Sequence, residues 1–240
     1  MIRIDKTFDK FMDEDHNKLL GYLKNNNIYP LHYEKKIKKD VKEIHNHIYS
    51  ICLWSNEFDE VPINQKIFLI QMRSDAIQSL YLSLLGFKKP VKLLLRGLIE
   101  DILNHLYYYD HKIEYERLET EPKYYQSNKY LWDYLKNQPR MKPIIEETET
   151  FSTLKQYYGD LSKYVHSSSS EYVEYINTID KIYFEIDFFK QYKKEIINIS
   201  CCINYLLYVF YKVNVEYESE LYNYIIKFIP DKYKKSLIKM

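Results

Sequence analysis

The sequence predicts an all-α fold, a compact multi-helix bundle around a central antiparallel helical hairpin at about residues 63–109. Apolar residues recur at spacings of three and four through most of the chain, which is the period of an α-helix. Only four glycines occur in 240 residues, too few for a turn-rich β protein. Gly86 and Pro90 stand between two long apolar segments. These residue types are typical of a helix end and a helix start.

The first 60 residues are predicted to form helices that pack on a core bundle. A short polar helix is expected at 12–26. A second helix begins at Pro30 and runs to about residue 56, with an apolar stripe along one face. The stripe consists of Ile37, Val41, Ile44, Ile48 and Ile51.

The second helix of the central hairpin, at about 91–111, carries two adjacent polar columns. Residues four apart lie on one face of a helix. Because the rest of this helix is apolar nearly all round, the pattern predicts a buried central helix with an internal polar seam. One column is Arg96, Glu100 and Asn104, and the other is Gly97, Asp101 and His105.

The second half of the chain is also predicted to be mostly helical. Residues 172–183 alternate enough for either a short strand pair or a single extended segment. No linker is long enough to divide the chain, so 1–240 is predicted to be one domain, with a core bundle at 63–213 and C-terminal helices at 216–240. The helices are expected at about 123–137, 154–166, 185–213, 217–228 and 231–239, with a loop between Pro139 and Pro143.

The net charge and the cysteine content limit the classes of protein to which this chain can belong. The formal net charge is +1 and the pI about 7.6, so no global field attracts the chain to nucleic acid or to a membrane. The longest uncharged run, 196–211, is too short and too polar for a membrane span. The N-terminus carries charges at once, which excludes a signal peptide. Three cysteines without a CxxC pair indicate reduced thiols, and the sequence therefore predicts a cytoplasmic protein.

Several kinds of chemistry have no motif in this sequence. It contains no glycine-rich phosphate loop, no GxSxG element and no Glu-x-x-His pair. Asp101 with His105 has ligand-capable spacing, but without further ligands nearby it is interpreted as a simple helical pair. We therefore expect neither a metal nor a cofactor.

Two polar lines on different helices remain as the candidate site, and they allow two interpretations. One line is Arg96, Glu100 and Asn104, and the other is Tyr158, Ser162 and His166, which recur every four residues. In the functional one they face each other around a pocket. His166 is then the general acid or base, Arg96 holds an anionic group and Glu100 orients one of them. In the structural one, Arg96 and Glu100 form a buried pair that fixes helix register. The remaining candidate substrate-binding residues are Asn104, His105, Tyr158 and Ser162.

Two segments carry a resemblance to a known family. DAIQSLYLSLLGFKKPVKLLLRGLIEDILNHLYY and the later YYGDLSKYVHSS resemble the HEPN-like helical proteins of prokaryotic toxin and abortive-infection systems. The matching residues are Gly86, Arg96 with Glu100, and Tyr158, Leu161, Ser162, Val165 and His166.

This resemblance implies a helical bundle, often dimeric, that acts in toxin–antitoxin, abortive-infection or other antiviral defence. Such proteins are commonly metal-independent ribonucleases. In the active nucleases an Arg is followed by a His four to six residues later on one helix. Here eight residues separate Arg96 from His105, so the catalytic motif is degenerate and a site would combine Arg96 and His166 from different helices.

Two functions follow as hypotheses. The first is a HEPN-like, metal-independent endoribonuclease that acts on RNA in defence against phage. The alternative is a non-catalytic helical module that binds a protein or senses a ligand in an antiphage or toxin–antitoxin system. The 27 tyrosines favour a protein partner or a homodimer, because tyrosine is well suited to half-buried interface positions.

Overall fold

The computed structural model describes residues 6–26, 35–57, 63–139, 141–212 and 220–237. No β-strand occurs within these ranges, and the all-α prediction is confirmed. Single turns of 3-10 helix occur at Ser170–Tyr172, Ile179–Lys181 and Ile226–Phe228. The α-helices are α1 (Lys6–Asn25), α2 (Lys35–Glu57), α3 (Ile63–Leu85), α4 (Lys88–Asp110), α5 (Lys112–Thr120), α6 (Asn128–Asn137), α7 (Lys142–Glu147), α8 (Thr150–Val165), α9 (Ile186–Lys212), α10 (Glu220–Ile225) and α11 (Asp231–Leu237).

Helices α3 and α4 form the predicted antiparallel hairpin and pack against each other along their length. Gly86 joins them with a φ of +87°, a conformation that side chains with a Cβ rarely adopt. A Cβ there would also overlap the backbone carbonyl of Tyr183. Pro90 lies in the first turn of α4, where its missing N–H removes no helical hydrogen bond.

Helix α4 is the centre of the bundle. It contacts α3, α5, α6, α8 and α9, and most of its apolar residues are buried. Lys92 is buried among them, and its Nζ lies 2.6 Å from both carboxylate oxygens of Glu195 on α9. Burial lowers the pKa of Lys92, and the carboxylate opposes that effect. The buried apolar residues of α4 include Leu95, Leu98, Ile99, Ile102, Leu103 and Leu106.

Helices α2 and α9 close the core on its other side. The Trp54 indole N–H donates to Asn204 Oδ1 at 2.8 Å, and Asn204 Nδ2 donates to Ser50 Oγ at 2.8 Å. These polar groups are buried but paired, as stability requires. Within the part of the chain that the structure describes, no helix combines the length and apolar character needed to cross a membrane.

The structure differs from the sequence prediction at several places, the first being α1, which begins at Lys6 rather than at residue 12. Helix α5 was not expected because it is polar on most sides, with Tyr115 its one buried residue. Helix α7 was not expected either, and it begins at the end of the loop predicted between Pro139 and Pro143, since Pro143 falls in its first turn, a position that tolerates proline. Of the two alternatives for segment 172–183, the strand pair is absent, and the segment runs without regular secondary structure from the 3-10 turn at Ser170–Tyr172 to the one at Ile179–Lys181. The predicted helix start at Pro30 lies outside the described residues.

Candidate functional site

A cluster of four polar side chains joins α4, α6 and α8. Arg96 Nη2 donates to Glu100 Oε1 at 2.7 Å and to the Tyr158 hydroxyl at 2.9 Å. Asn128 Nδ2 lies 2.7 Å from the same Glu100 oxygen and 2.6 Å from the same hydroxyl. The Tyr158 hydroxyl in turn donates to Glu100 Oε1 at 3.2 Å. We call Arg96, Glu100, Asn128 and Tyr158 the Arg96 cluster.

The Arg96 cluster largely neutralises its own charges. The side chains of Arg96 and Glu100 are 17% and 27% exposed, so the pair is half-buried rather than sealed in the core. The guanidinium carbon lies 5.1 Å from the centre of the Tyr158 ring, within cation–π range. Arg96 Nε is buried and has no hydrogen-bond partner among the described residues. The arginine is therefore committed to its neighbours within the protein.

A pocket of about 480 Å³ opens beside this cluster, between α3, α4, α5 and the loop that leads into α6. We call it the seam pocket. Three carboxylates line it: Asp75 from α3, and Glu100 and Asp101 from α4. No Lys, Arg or His side chain of the described residues lines it. The pocket is consequently acidic, with Arg96 compensating one of its three carboxylates from outside.

The other walls of the seam pocket combine amide groups with aromatic rings. The amides lie on α3, α4, α6 and the loop before α6, and each amide offers both a donor and an acceptor. Tyr125 is 75% exposed and stands at the rim. The amide side chains are Gln71, Asn104, Gln126 and Asn128, and the rings are Phe68, Tyr108 and Tyr125.

Asp101 is the least compensated of the three carboxylates. The residue is 9% exposed, and none of the described donors reaches its Oδ2. Burial, together with the negative charges of Asp75 and Glu100, raises the pKa of Asp101 to about 8. A carboxyl group in this state holds its proton at neutral pH and can donate it.

Asp75 lies beside Asp101 for a local steric reason. A Cβ at Gly97 would stand 2.6 Å from Asp75 Oδ2, so the glycine lets the α3 carboxylate approach the α4 backbone. Burial raises the pKa of Asp75, while the hydrogen bond that Gln71 Nε2 donates to Oδ1 at 2.6 Å lowers it. Gly97 therefore helps to bring two carboxylates together in one pocket.

The structure does not bring His166 to Arg96. Helices α4 and α8 run antiparallel, because Lys89 near the start of α4 donates to Ser167 at 3.1 Å while Arg96 meets Tyr158. His166 is exposed at the C-terminal end of α8. It lies eight residues beyond Tyr158, or about 12 Å along the helix axis. No hydrogen bond or ring contact joins the two described residues His166 and Arg96.

The remaining predicted site residues have different positions. Asn104 lines the seam pocket, whereas the Ser162 hydroxyl donates to the backbone carbonyl of Tyr158 at 2.7 Å, within its own helix. His105 is 1% exposed and is hydrogen-bonded to the Tyr211 hydroxyl in the core. Burial lowers the pKa of His105 to about 3, so the ring is neutral and faces α9 rather than the pocket.

Sequence reasoning missed Asp75 and Asn128 as members of the site. Asp75 had a detectable signal: a single carboxylate between apolar Met72 and Ala76 on an apolar helix, four residues after Gln71. Asn128 had none, since it follows a polar loop where an asparagine is ordinary. Its role arises from the way α6 packs on α4.

Neither a metal-binding arrangement nor similarity to another protein indicates what this site does. In the described ranges, no group of three or more His, Cys, Asp and Glu side chains is placed to hold one metal ion. Comparison of the chain with protein-family models, with curated proteins and with solved structures finds no match. The functional argument therefore depends on the chemistry of the seam pocket and the Arg96 cluster.

Proposed function

We propose that this protein is a non-catalytic helical binding module of HEPN-like type, which recognises a ligand or partner in an antiphage or toxin–antitoxin system. The observation that carries the proposal is the separation of the two residues that a composite nuclease site needs. Arg96 is held by Glu100 and Tyr158, and His166 lies exposed at the far end of α8. An acid–base group and an anion-binding group must meet at one substrate for general acid–base catalysis.

The charge of the seam pocket also disfavours RNA. A ribonuclease must place an anionic phosphate beside its catalytic groups, and affinity for nucleic acid depends on cations that neutralise phosphates. Asp75, Glu100 and Asp101 offer a phosphate no positive charge, and Asp101 adds a negative one above its pKa of about 8. The guanidinium of Arg96 is turned into its own ion pair with Glu100. These groups repel a phosphate and suit a ligand of another kind.

The HEPN-like resemblance supports the defence setting, and the thiols support a cytoplasmic location. Cys52, Cys201 and Cys202 are free, and each is buried or half-buried. Burial raises the pKa of Cys201 to about 11 and that of Cys202 to about 12. Such thiols stay protonated and unreactive, as in proteins kept in a reducing compartment.

The experiment is RNA cleavage in the presence of EDTA with the wild-type chain, Arg96→Ala and His166→Ala. We expect no cleavage by the purified wild type and no toxicity on expression, while a known ribonuclease degrades the same RNA in parallel. Cleavage by the wild type that disappears in Arg96→Ala or in His166→Ala would overturn the proposal. Equal residual cleavage in all three samples would indicate a contaminating nuclease and would leave the chain without activity of its own.

A further inference from the structure

The chemistry of the seam pocket identifies the kind of ligand it can hold. Its cavity of about 480 Å³ lies within the range of small-molecule sites, which are roughly 300–1,000 Å³. Two of its carboxylates, Asp75 and Asp101, have no cation of the described chain beside them. Buried carboxylates are ordinarily paired with a cation or neutralised by a proton.

A second observation is independent of the number of carboxylates. Oδ2 of Asp101 is buried and has no protein partner among the described residues, although Asp101 lines the open pocket. Buried polar atoms almost always have a hydrogen-bond partner. A ligand that donates a hydrogen bond from within the pocket would satisfy this oxygen.

The aromatic walls add a preference for an organic cation over a metal ion. Phe68, Tyr108 and Tyr125 present rings to the pocket, and such rings attract ammonium and amidinium groups through their negative faces. The three carboxylates do not converge on one point in the way that a metal ion requires. A hydrated metal ion would also gain nothing from these apolar ring faces.

We propose that the seam pocket binds a small organic cation, an amine or amidine on an apolar body, whose charged end is held by Asp101 and Asp75. The inference rests on the proposed binding function and names the ligand class for it. The charged end donates to Asp101 Oδ2, the apolar body lies against Phe68 and Tyr108, and the amides around the pocket accept its remaining N–H groups.

Binding of such a cation is coupled to a proton. The charges that act on Asp101 are those of Asp75 on α3 and Glu100 on α4. The other titratable groups that line the pocket are Tyr108 on α4 and Tyr125 in the loop before α6, while Arg96 is paired with Glu100. With the pKa of Asp101 near 8 in the free protein, the cation binds the ionised form and releases a proton below that pH. The apparent affinity should therefore fall as the pH decreases below 8, by up to roughly tenfold per pH unit.

The experiment is calorimetric titration of the full chain with two matched probes. Benzamidine is a cation, and benzamide is a neutral molecule of nearly the same shape. Spermidine and magnesium chloride complete the set as a slender polycation and a bare metal ion. The variants are Asp101→Asn and Asp75→Asn, which keep side-chain size and remove one charge each. Asp187→Asn is the control, because that carboxylate is 92% exposed on α9 and does not line the pocket.

We expect benzamidine to bind more tightly than both benzamide and spermidine. Asp101→Asn and Asp75→Asn should each weaken binding of the cation roughly tenfold or more, the usual loss for one partner of a desolvated charge pair. Asp187→Asn should bind as the wild type does. Asp101→Asn should also abolish the pH dependence between pH 6 and 8, which a general loss of structure would not do selectively.

Three results would overturn the inference. They are equal binding of benzamide and benzamidine, binding of magnesium but neither organic cation, and absence of any binding at millimolar concentrations. Each of them contradicts the ligand class while leaving the binding function intact. Cleavage of RNA that depends on Arg96 would instead overturn the proposed function, so the two failures are distinguishable.

Discussion

Replacement of Asp101 by asparagine should stabilise the protein, and the gain should depend on pH. Asparagine has nearly the same shape as aspartate and cannot ionise. Asp101 is 9% exposed, and its Oδ2 lacks a partner among the described residues. The substitution therefore removes a carboxylate whose ionisation is costly, without leaving a cavity. The new amide can donate to the neighbouring carboxylate of Asp75.

The magnitude follows from the displacement of one pKa. Folding raises the pKa of Asp101 from an ordinary value of 3.8 to about 8. When the pKa of a carboxyl group is higher in the folded state than in the unfolded state, the protein loses stability as the pH rises from the unfolded-state pKa to the folded-state pKa. Each pH unit in that window costs about 1.4 kcal/mol. At pH 7 the accumulated loss is on the order of 4 kcal/mol, or about 8–16 °C in Tm for a chain of this size.

Urea unfolding of the wild type and of Asp101→Asn at pH 4.5, 6, 7 and 8.5 measures this effect. The two proteins should have similar stability at the lowest pH, and the variant should be progressively more stable above it. Asp187→Asn, on an exposed carboxylate, should follow the wild type throughout. Parallel profiles for the wild type and Asp101→Asn would refute the reasoning, because Asp101 would then be ionised at no cost.

Two further substitutions test the Arg96 cluster and the hairpin. Glu100→Ala should lower the free energy of unfolding by about 2 kcal/mol, because a half-buried guanidinium loses its carboxylate. In thermal melts, the double variant Arg96→Met with Glu100→Leu should recover most of that loss, and a double variant no more stable than Glu100→Ala would contradict this account. Gly86→Ala should cost about 2 kcal/mol or more in urea unfolding, given its φ of +87°. Gly159→Ala on α8, where a Cβ meets open space, should instead stabilise by up to about 1 kcal/mol. Equal effects of the two glycine substitutions would exclude a special role for the turn.

The central hairpin was predictable because its signals are local. Gly86 ends α3, and Pro90 lies in the first turn of α4, so the turn and its direction follow from a few adjacent residues. The pairing of Arg96 with Glu100 was predictable for the same reason, since residues four apart meet on one helix. Helix α5 lacks such a signal, because its single buried side chain, Tyr115, gives no apolar periodicity.

The composition of the site was less predictable because it depends on how helices pack. Tyr158, Ser162 and His166 share a spacing of four, but each such step advances about 40° beyond a full turn. His166 is therefore rotated by about 80° from Tyr158 as well as displaced along α8. The antiparallel packing then aligns Tyr158 with Arg96 and leaves His166 near the start of α4. Neither the direction of α8 nor its register is encoded in the spacing.

The polar seam of α4 divides at Glu100 into two parts with different consequences. On one side, Glu100 Oε1 accepts from Arg96, Asn128 and Tyr158, so these groups satisfy one another and connect three helices. On the other side, Asp75 and Asp101 share a pocket without a cation of the described chain.

The hydrogen-bonded arrangement around Glu100 is what a structural network requires. The arrangement on the Asp75 side lowers the stability of the folded protein as the pH rises from the ordinary carboxyl pKa to the raised pKa of Asp101. A buried, perturbed carboxylate in a cleft is typical of a binding or active site. The proposed ligand site therefore lies on the Asp75 side of the seam, away from the arginine that the sequence motif emphasised.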